Sequence, residues 1–505
     1  MFFSIILIVQ YFFFKLLQMN NKKIIIIGSG FSSLAASCYL AKAGFGVQIF
    51  EKNPEIGGRA RQKKRDGFVF DIGPTFYWMP DVFESFFSDF DKKPSDYYQL
   101  KKLDPAYQVY FGVKDSIKVS GSIEETMNTF ETIEPGSKKA LRRFLSKAGK
   151  NYKIAIKDLV YKPAESILEI ITPTTMLKIT DFFRTIKKQV ASYVKDEKLR
   201  KIMEFPVLFL GAKPGNTPSF YNFMNYADFE LGTWHPMGGM YEVVEAMTNL
   251  ALELGVEIVT DSPVQSIRTT DNNVEGIQVG DKFYSCDILL SGADYHHTES
   301  LLPVNRRQYK ESYWSKKIFA PSALLFFVGF KKKLKNVSHH TLFFDTDFDA
   351  HAKTIYDTKE WSEDPLFYAS FPSLTDNESA PEGKEAGIFL IPIAPDLEDN
   401  PTIREKYFNQ IIQRMEDLTE QNLHAMVEFK ESYCVNDFKS DYNSYKGNAY
   451  GLANTLTQTH ILRPRLRSKK VDNLFFCGQL TVPGPGVPPS LISGKIVSEL
   501  ISKYY

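Results

Sequence analysis

A glycine turn between an apolar strand and a small-residue helix limits the fold of this 505-residue chain more than any other feature. The β-branched run Ile24–Ile27 predicts a strand that is buried on both faces. The turn of residues 28–33 follows, and the small and apolar residues from Leu34 to Leu40 predict a helix. Val47–Phe50 predicts a second strand, which Glu51 ends. This order of elements predicts an α/β fold that contains a parallel sheet.

The residue types in this turn suit the binding of a dinucleotide. Gly28 permits a tight turn, and Gly30 has no side chain, so backbone can approach a pyrophosphate that the helix N-terminus attracts. Glu51 can accept hydrogen bonds from a ribose hydroxyl. The predicted contacts within this Rossmann-like turn are Gly28, Ser29, Gly30, Ser32 and Ser33. Ser33 replaces the usual third glycine, so we expect the helix and strand to lie slightly further apart.

Composition argues against several other classes of protein. The net charge of +1 favours neither nucleic acid nor acidic partners. The four cysteines form no CxxC pair, which argues against a zinc site or a disulfide framework and suits a reducing cytosol. The pairs His296-His297 and His339-His340 are adjacent in sequence, and adjacent side chains seldom reach one metal ion, so we expect no metal site.

The first 18 residues are nearly all apolar, but Lys15 interrupts them and the run is barely long enough to span a bilayer. The segment has neither the basic start nor the cleavage site of a signal peptide. A second methionine, Met19, stands just before the first predicted strand. We therefore expect translation to start at Met19, which would make the apolar N-terminal extension, residues 1–18, a start-site artefact; a membrane anchor is the alternative.

The segment after Glu51 points to the cofactor through a family resemblance. Residues 51–60 read EKNPEIGGRA, and this glycine-glycine-arginine turn resembles the superfamily of FAD-dependent amine oxidases and phytoene desaturases. The guanidinium of Arg59 would present a fork of donors to a second phosphate. The FAD contacts that the resemblance implies in this region are Lys52, Gly58, Arg59, Gly73, Pro74 and Thr75. The last three would lie against the flavin.

The resemblance returns in later segments and covers nearly all of residues 22–505. It implies further FAD contacts from Val264, Gly478, Gln479, Val487 and Pro488. Val264 would touch the adenine, and the last helix would point its N-terminus at the flavin. Gln479 departs from the aspartate that many flavoproteins carry at this position. Cys477, the one candidate for covalent attachment, lies within a predicted strand, so we expect FAD to be bound non-covalently.

The same resemblance implies a discontinuous FAD-binding domain and a substrate domain. The expected FAD-binding segments are 19–90, 230–300 and 445–505. Residues 91–229 and 301–444 are expected to form the substrate domain, which has a mixed sheet and a helical lobe near 130–225.

Several segments resemble phytoene desaturases rather than amine oxidases, among them residues 76–80 (FYWMP), 447–451 (GNAYG) and 483–488 (PGPGVP). The resemblance implies an FAD-dependent carotenoid desaturase that converts phytoene or its intermediates towards lycopene, with a long apolar polyene as substrate. No catalytic base follows, because Val482 stands where several members have histidine. The alternatives are a later-acting carotenoid desaturase, a carotenoid isomerase and a retinol-saturase-like enzyme. A flavin amine oxidase would need an aromatic cage for the amine near the flavin. The intact phosphate loop argues against a membrane-associated binding protein with vestigial FAD.

Residues 138–201 are strongly basic, with 17 Lys and Arg against 6 Asp and Glu. Their apolar members are Ile167, Leu168, Ile170, Ile171, Met176, Leu177, Ile179, Phe182, Phe183 and Ile186. Basic residues around an apolar helical face are typical of binding to an anionic membrane surface, and the alternative is a solvated helix pair whose apolar side is core. The implied polyene favours docking, so we expect a cytoplasmic protein peripheral to the inner face of the cell membrane. The oligomeric state stays open.

Overall fold

The computed structural model describes residues 22–171 and 179–505, so the expectation for residues 1–18 lies outside it. The strands are β1 Lys23–Ile27, β2 Gly46–Phe50, β3 Gln62–Arg65, β4 Phe68–Asp71, β5 Leu100–Lys102, β6 Tyr107–Gly112, β7 Asp115–Val119, β8 Trp234–Pro236, β9 Glu257–Val259, β10 Val264–Thr270, β11 Asn273–Val279, β12 Lys282–Ser285, β13 Ile288–Ser291, β14 Ser322–Phe330, β15 His340–Phe343, β16 Phe367–Ser370, β17 Glu385–Ile393, β18 Val427–Tyr433 and β19 Leu474–Phe476. The α-helices are α1 Phe31–Lys42, α2 Pro80–Ser88, α3 Ile123–Ile133, α4 Ser137–Ile154, α5 Ile179–Phe183, α6 Ile186–Val190, α7 Glu197–Glu204, α8 Phe223–Phe229, α9 Tyr241–Glu253, α10 Tyr295–Ser300, α11 Glu311–Trp314, α12 Phe348–Lys353, α13 Pro401–Thr419, α14 Val435–Tyr442 and α15 Val487–Tyr504.

A five-stranded parallel sheet carries the glycine turn. Its strand order is β19-β13-β1-β2-β9, which joins segments that are far apart in the sequence. The apolar run in β1 is buried because strands flank it on both sides and α1 covers it. Helix α15 packs closely on α1 at Gly494, where a Cβ atom would lie 2.6 Å from the carbonyl oxygen of Ser32.

A seven-stranded mixed sheet forms the second large layer, in the order β18-β14-β17-β16-β15-β6-β7. The β15–β6 pair is parallel and the other pairs are antiparallel. Every residue of β14 is buried, as a central strand requires. The predicted α/β class with a parallel and a mixed sheet is therefore confirmed, whereas the predicted domain boundaries stay a prediction.

The basic segment does not form the single apolar helical face that its sequence suggests. Its described part is broken into the π-helical turn Ala155–Leu159, a 3-10 helix over Ile167–Ile170, and the short helices α5 and α6. Ile186 is fully buried, so this part of the predicted face is core. Ile167 and Phe183 are 52% and 77% exposed.

Met176 and Leu177 lie outside the described residues. In the part of the chain that is described, no helix combines the length and the apolar character needed to cross a bilayer.

Candidate functional site

A cavity of about 1220 Å³ is lined by residues of both large sheets and of the helical segments between β7 and β8. This volume exceeds that of most single-ligand pockets. Sixteen of the seventeen predicted cofactor contacts lie in its wall: Gly28, Ser29, Gly30, Ser32, Glu51, Lys52, Gly58, Arg59, Gly73, Pro74, Thr75, Val264, Gly478, Gln479, Val487 and Pro488. The structure thus brings these residues together, and their contact with a cofactor stays a prediction.

Ser33 is the predicted contact that does not line the cavity. Its side chain is fully buried and faces Gly292, just after β13. A Cβ atom on Gly292 would lie only 2.1 Å from the Ser33 hydroxyl oxygen. A third glycine in the turn usually lets the helix approach the neighbouring strand. Here Gly292 permits that approach from the strand side, because it has no side chain. In the sequence, this glycine is visible in the SGAD stretch at residues 291–294.

Two helix N-termini face the cavity. Gly30 precedes α1, and Gly486 precedes α15; both line the wall. The first turns of helices carry unsatisfied N–H groups and a partial positive charge, which suit phosphates and other anionic groups. At Gly30 an added Cβ would meet no atom within 4 Å, so it would point into open space. The backbone here is free to contact a pyrophosphate.

Glu51 is held at the end of β2 by four hydrogen bonds. Its Oε2 accepts from the backbone N–H of Ser29 at 2.9 Å and from the Ser29 hydroxyl at 2.7 Å. Its Oε1 accepts from the backbone and side-chain nitrogens of Asn53 at 2.9 and 3.0 Å. The carboxylate is 4% exposed and lies on the cavity wall, where it can receive ribose hydroxyls. Asn53 also lines the cavity, and the sequence interpretation missed it.

Arg59 is a half-buried cation that forms no ion pair with a carboxylate in the described residues. Its guanidinium lies over the ring of Tyr442 at 4.9 Å and donates to Ser444 Oγ and to the carbonyl of Asn448 at 3.1 and 3.2 Å. Its Nε is buried without a partner, and burial lowers the pKa of the group below its ordinary value. A cation with an unused donor on the cavity wall suits a phosphate.

A short turn brings the predicted flavin wall against the Arg59 backbone. A Cβ atom on Gly73 would lie 2.0 Å from the Arg59 carbonyl oxygen, so only glycine allows this approach. Two residues further on, the Thr75 hydroxyl and the Tyr368 hydroxyl are 2.8 Å apart, and both side chains line the cavity. Tyr368 lies on β16 of the mixed sheet.

Arg463 organises the segment that carries Gln479. Its guanidinium is 2% exposed. It donates to the carbonyl oxygens of Thr481 (2.8 Å), Gln479 (2.8 Å), Gln458 (3.2 Å) and Leu452 (3.3 Å) and to Asn454 Oδ1 (2.7 Å). Burial lowers its pKa to about 10. This role depends on five acceptors that the fold brings together, so it could not be predicted from the sequence.

Cys477 lies just beyond β19 and does not line the cavity. Burial raises the pKa of its thiol to about 11. A protonated thiol outside the cavity is not positioned to attach a flavin.

The rest of the cavity wall is mostly apolar. Its aromatic members include Phe76, Trp78, Phe205, Phe209, Phe344 and Phe348. Three of its lining residues, Ile167, Ile171 and Phe183, are more than half exposed, so the cavity reaches the surface beside them. A long apolar ligand could pass from this edge into a space that excludes water.

Comparison with known proteins agrees with this geometry. The family model described as flavin containing amine oxidoreductase matches residues 31–502. Carotenoid 3,4-desaturase from Haloarcula japonica is 40% identical over 483 residues, which cover 94% of this chain and 97% of that protein. The zeta-carotene-forming phytoene desaturase from Myxococcus xanthus is 31% identical and covers 94% of this chain and 92% of its own length.

Solved structures agree at the level of the fold. An oxidoreductase from Methanosarcina mazei is 17% identical with a TM-score of 0.64, and the match covers 94% of this chain and all of that one. Cyclohexylamine oxidase from Brevibacterium oxydans is 14% identical with a TM-score of 0.56, over 96% and 99% of the two chains. The protein is therefore a member of the flavin-containing amine oxidoreductase family and, within it, of the carotenoid desaturases.

Proposed function

We propose that this protein is an FAD-dependent oxidoreductase that introduces double bonds into a carotenoid by acting on CH–CH groups. One observation carries the proposal: the predicted dinucleotide contacts and a long apolar wall belong to the same cavity. The cavity offers a separate predicted contact for each part of a dinucleotide: Gly30 for the pyrophosphate, Glu51 for a ribose and Val264 for the adenine. Together these contacts favour FAD over a mononucleotide flavin.

The residues present fit a non-covalently bound FAD. Arg59 offers an unused buried donor, and the open space at Gly30 leaves room for phosphates at the start of α1. When bound, the flavin supplies the acceptor for a hydride from a saturated carbon next to the conjugated system. The protein's own residues bind and orient the polyene and exclude water from the reacting carbons.

A polyene has no polar group by which it could be recognised, so its binding must come from burial. Removing apolar surface from water contributes roughly 25 cal/mol per Å², and a chain of carotenoid length buries enough to be held without hydrogen bonds. The aromatic wall of the cavity supports this mode of binding.

The carotenoid itself is tested by product analysis. We propose phytoene or its intermediates as substrate; the 40% identity with a carotenoid 3,4-desaturase favours a second candidate, a later-acting desaturase. Purified protein with FAD would be given phytoene or lycopene in liposomes, and products would be read by absorption spectra and mass. Loss of two hydrogens per step from either one supports desaturation and identifies the substrate. A product of unchanged mass would indicate an isomerase instead, and no product from either carotenoid would contradict the proposal.

We further propose that the protein is cytoplasmic and binds peripherally to the inner face of the cell membrane. Exposed apolar side chains at the cavity edge, within a segment rich in Lys and Arg, support this placement. The hydrocarbon could then enter the cavity directly from the bilayer.

A further inference from the structure

Three of the protein's eight histidines form a row behind the cavity wall. The ring centroids of His340 and His339 are 4.5 Å apart, and those of His339 and His235 are 4.6 Å apart. The three residues are between 0% and 5% exposed. None of them belongs to a predicted cofactor motif, and two lie at the start of β15 while the third lies on β8.

One end of this histidine row reaches the cavity. His340 Nδ1 is 2.7 Å from the hydroxyl of Tyr368, and that hydroxyl is 2.8 Å from Thr75 Oγ1. The phenol can donate to His340 while it accepts from Thr75. Phe76 stacks on the His340 ring at 3.9 Å and separates it from the apolar space. Tyr368 and Thr75 therefore form the polar contact between the cavity and the histidine row.

The other end of the row meets the buried carboxyl group of Asp376 and the half-buried Thr375. His235 Nε2 is 3.5 Å from Asp376 Oδ2, and His339 Nδ1 is 2.8 Å from the hydroxyl of Thr375. The exposed Lys101 donates to the carbonyl of the half-buried Thr375. The row thus connects an apolar cavity with a buried carboxyl group and, through Thr375, with the protein surface.

The histidines have unused hydrogen-bonding groups. The Nε2 atoms of His340 and His235 are buried and have no hydrogen-bond partner among the described residues. Such orphaned groups are rare in native proteins and call for an explanation. A metal ion does not supply it, because in residues 22–171 and 179–505 no three or more His, Cys, Asp or Glu side chains are arranged so that they could hold one. Burial, together with the neighbouring histidines, holds the pKa of His339 and His340 well below the usual range, so both rings are neutral, and a proton that either takes up is held weakly and passed on.

We propose that Tyr368 and the histidine row carry the proton that desaturation releases from the cavity to the protein surface. This inference rests on the proposed function. When one carbon loses a hydride to the acceptor that a bound FAD would supply, the C–H bond of its neighbour breaks, and that electron pair forms the new double bond. The released proton goes to the Tyr368 oxygen while the proton of Tyr368 passes to His340 Nδ1. His340 then releases its Nε2 proton through His339 and His235 towards Asp376.

The need for such a path follows from the nature of the cavity. A proton left in an apolar space carries a charge that cannot be solvated there, which costs far more than a buried neutral group. Because His340 Nε2 has no direct partner, the transfer from His340 to His339 uses a bridging water, which neutral imidazoles at these spacings can share. Other groups that act on the path are Asp71, which faces both His235 and Tyr368, Tyr450 beside Tyr368, and Lys101 beside His339.

Tyr368→Phe tests the proposal, because it removes the hydroxyl and keeps the ring. We expect flavin content to be unchanged and turnover to fall by at least about tenfold. Heavy water should slow turnover of the parent protein, and this effect should disappear in the variant. Tyr77→Phe is the matched control, since it removes another buried phenol hydroxyl, one that pairs with Tyr98 at 2.9 Å away from the histidines. It should keep both the rate and the solvent effect.

A second readout needs no turnover. In isotope-labelled protein, the Nδ1 resonance of His340 should shift in Tyr368→Phe and stay in place in Tyr77→Phe. His339→Asn, which leaves the cavity wall intact, should reproduce the loss of the solvent effect if Tyr368→Phe fails to fold. Full turnover and an unchanged solvent effect in either path variant would overturn the proposal. Absence of desaturation by the parent protein would instead refute the proposed function.

Discussion

Gly30 and Arg463 show how single residues shape the cavity in opposite ways. Gly30 acts by having no side chain, because any Cβ atom there would project into the open space at the start of α1. Arg463 acts through its hydrogen-bond donors, since its guanidinium binds the backbone carbonyls of Gln479 and Thr481. The first role could be predicted from a local motif. The second could not, because its acceptors are brought together only by the folded chain.

Gly30→Val should empty the flavin site without unfolding the protein. Gly30 has an ordinary φ of −69°, so valine can adopt this backbone, but its branched side chain would occupy the phosphate position. We expect flavin absorbance to be lost while the far-ultraviolet circular dichroism is kept. Gly46→Val is the control, because Gly46 is exposed at the opposite end of β2 and has room for a Cβ atom. Retention of a full complement of flavin in Gly30→Val would contradict the assignment.

Arg463→Lys should destabilise the protein although it preserves the charge. Lysine cannot reach the several carbonyls that the guanidinium binds, so buried acceptors would be left without partners at a cost on the order of 3 kcal/mol. We expect a lower Tm and weaker flavin retention. Arg465→Lys, at a half-buried neighbour with no side-chain hydrogen bond among the described residues, should change neither. An unchanged Tm in Arg463→Lys would show that the hydrogen bonds of the Arg463 guanidinium are not needed for stability.

At the scale of elements, sequence periodicity predicted the elements of the parallel sheet better than those of the basic segment. β1, α1 and β2 follow the predicted order because each is specified by local residue types: a β-branched run, small residues and a closing acidic residue. Residues 155–171 and 179–190 depart from prediction, because they form only short helical elements and tertiary packing buries Ile186. Local propensity is a weak guide where neighbouring elements decide which side chains are covered.

The helix α8 carries a buried carboxyl group that should make stability depend on pH. Asp228 accepts hydrogen bonds from Tyr107 and Thr233 at 2.8 and 3.4 Å, and burial raises its pKa from 3.8 to about 7. Because the native state binds this proton more tightly than the unfolded state, the stabilising contribution is full below pH 3.8. It is lost as the pH rises to about 7, by up to about 4 kcal/mol.

Asp228→Asn should remove this dependence, since the amide has the same shape and carries no charge. We expect the Tm of the variant, relative to the parent protein, to rise between pH 5 and pH 8. Asp271→Asn, in an exposed hairpin turn, serves as the control and should show no such trend. A difference in Tm that is constant across this range would argue against a protonated Asp228.

For the whole molecule, the sequence predicted the cofactor side of the cavity more completely than the substrate side. The predicted phosphate and ribose contacts come from short sequence motifs, and sixteen of the seventeen predicted cofactor contacts line the same cavity. The apolar wall comes from many segments without a shared spacing, so no pattern marks it. The histidine row could not be predicted for the same reason. The sequence shows only the adjacent pair His339-His340, and the fold brings His235 on β8 beside it.

Membrane docking should depend on the apolar edge of the cavity. Leu168 and Phe183 are 72% and 77% exposed, so replacing both with Ser should weaken binding to anionic liposomes and slow the turnover of membrane-held substrate. Val304→Ser changes another exposed apolar side chain, 78% exposed and outside the cavity wall, and should leave binding intact. Flavin content should be equal in all of these proteins. Equal co-sedimentation of both variants with liposomes would refute docking through this edge.

The basic side chains of this segment should also contribute to membrane docking. Arg143 and Lys188 make no ion pair within the described residues, whereas Arg142 and Lys187 pair with Glu124 and Asp349. Replacing Arg143 and Lys188 with Gln should therefore weaken liposome binding more than replacing the paired Arg142 and Lys187, and salt should reduce the difference. Binding that is insensitive to salt and to both pairs of substitutions would exclude electrostatic docking.

The shared cavity has a thermodynamic consequence. Because the cofactor contacts and the apolar wall belong to one space, a bound flavin would form part of the surface that a polyene touches. The two affinities are then linked: by whatever factor the flavin tightens polyene binding, the polyene must tighten retention of the flavin. Carotenoid supply would thus protect the holoprotein from losing its cofactor, and a cell that makes no polyene would hold this enzyme in a form that sheds flavin more readily.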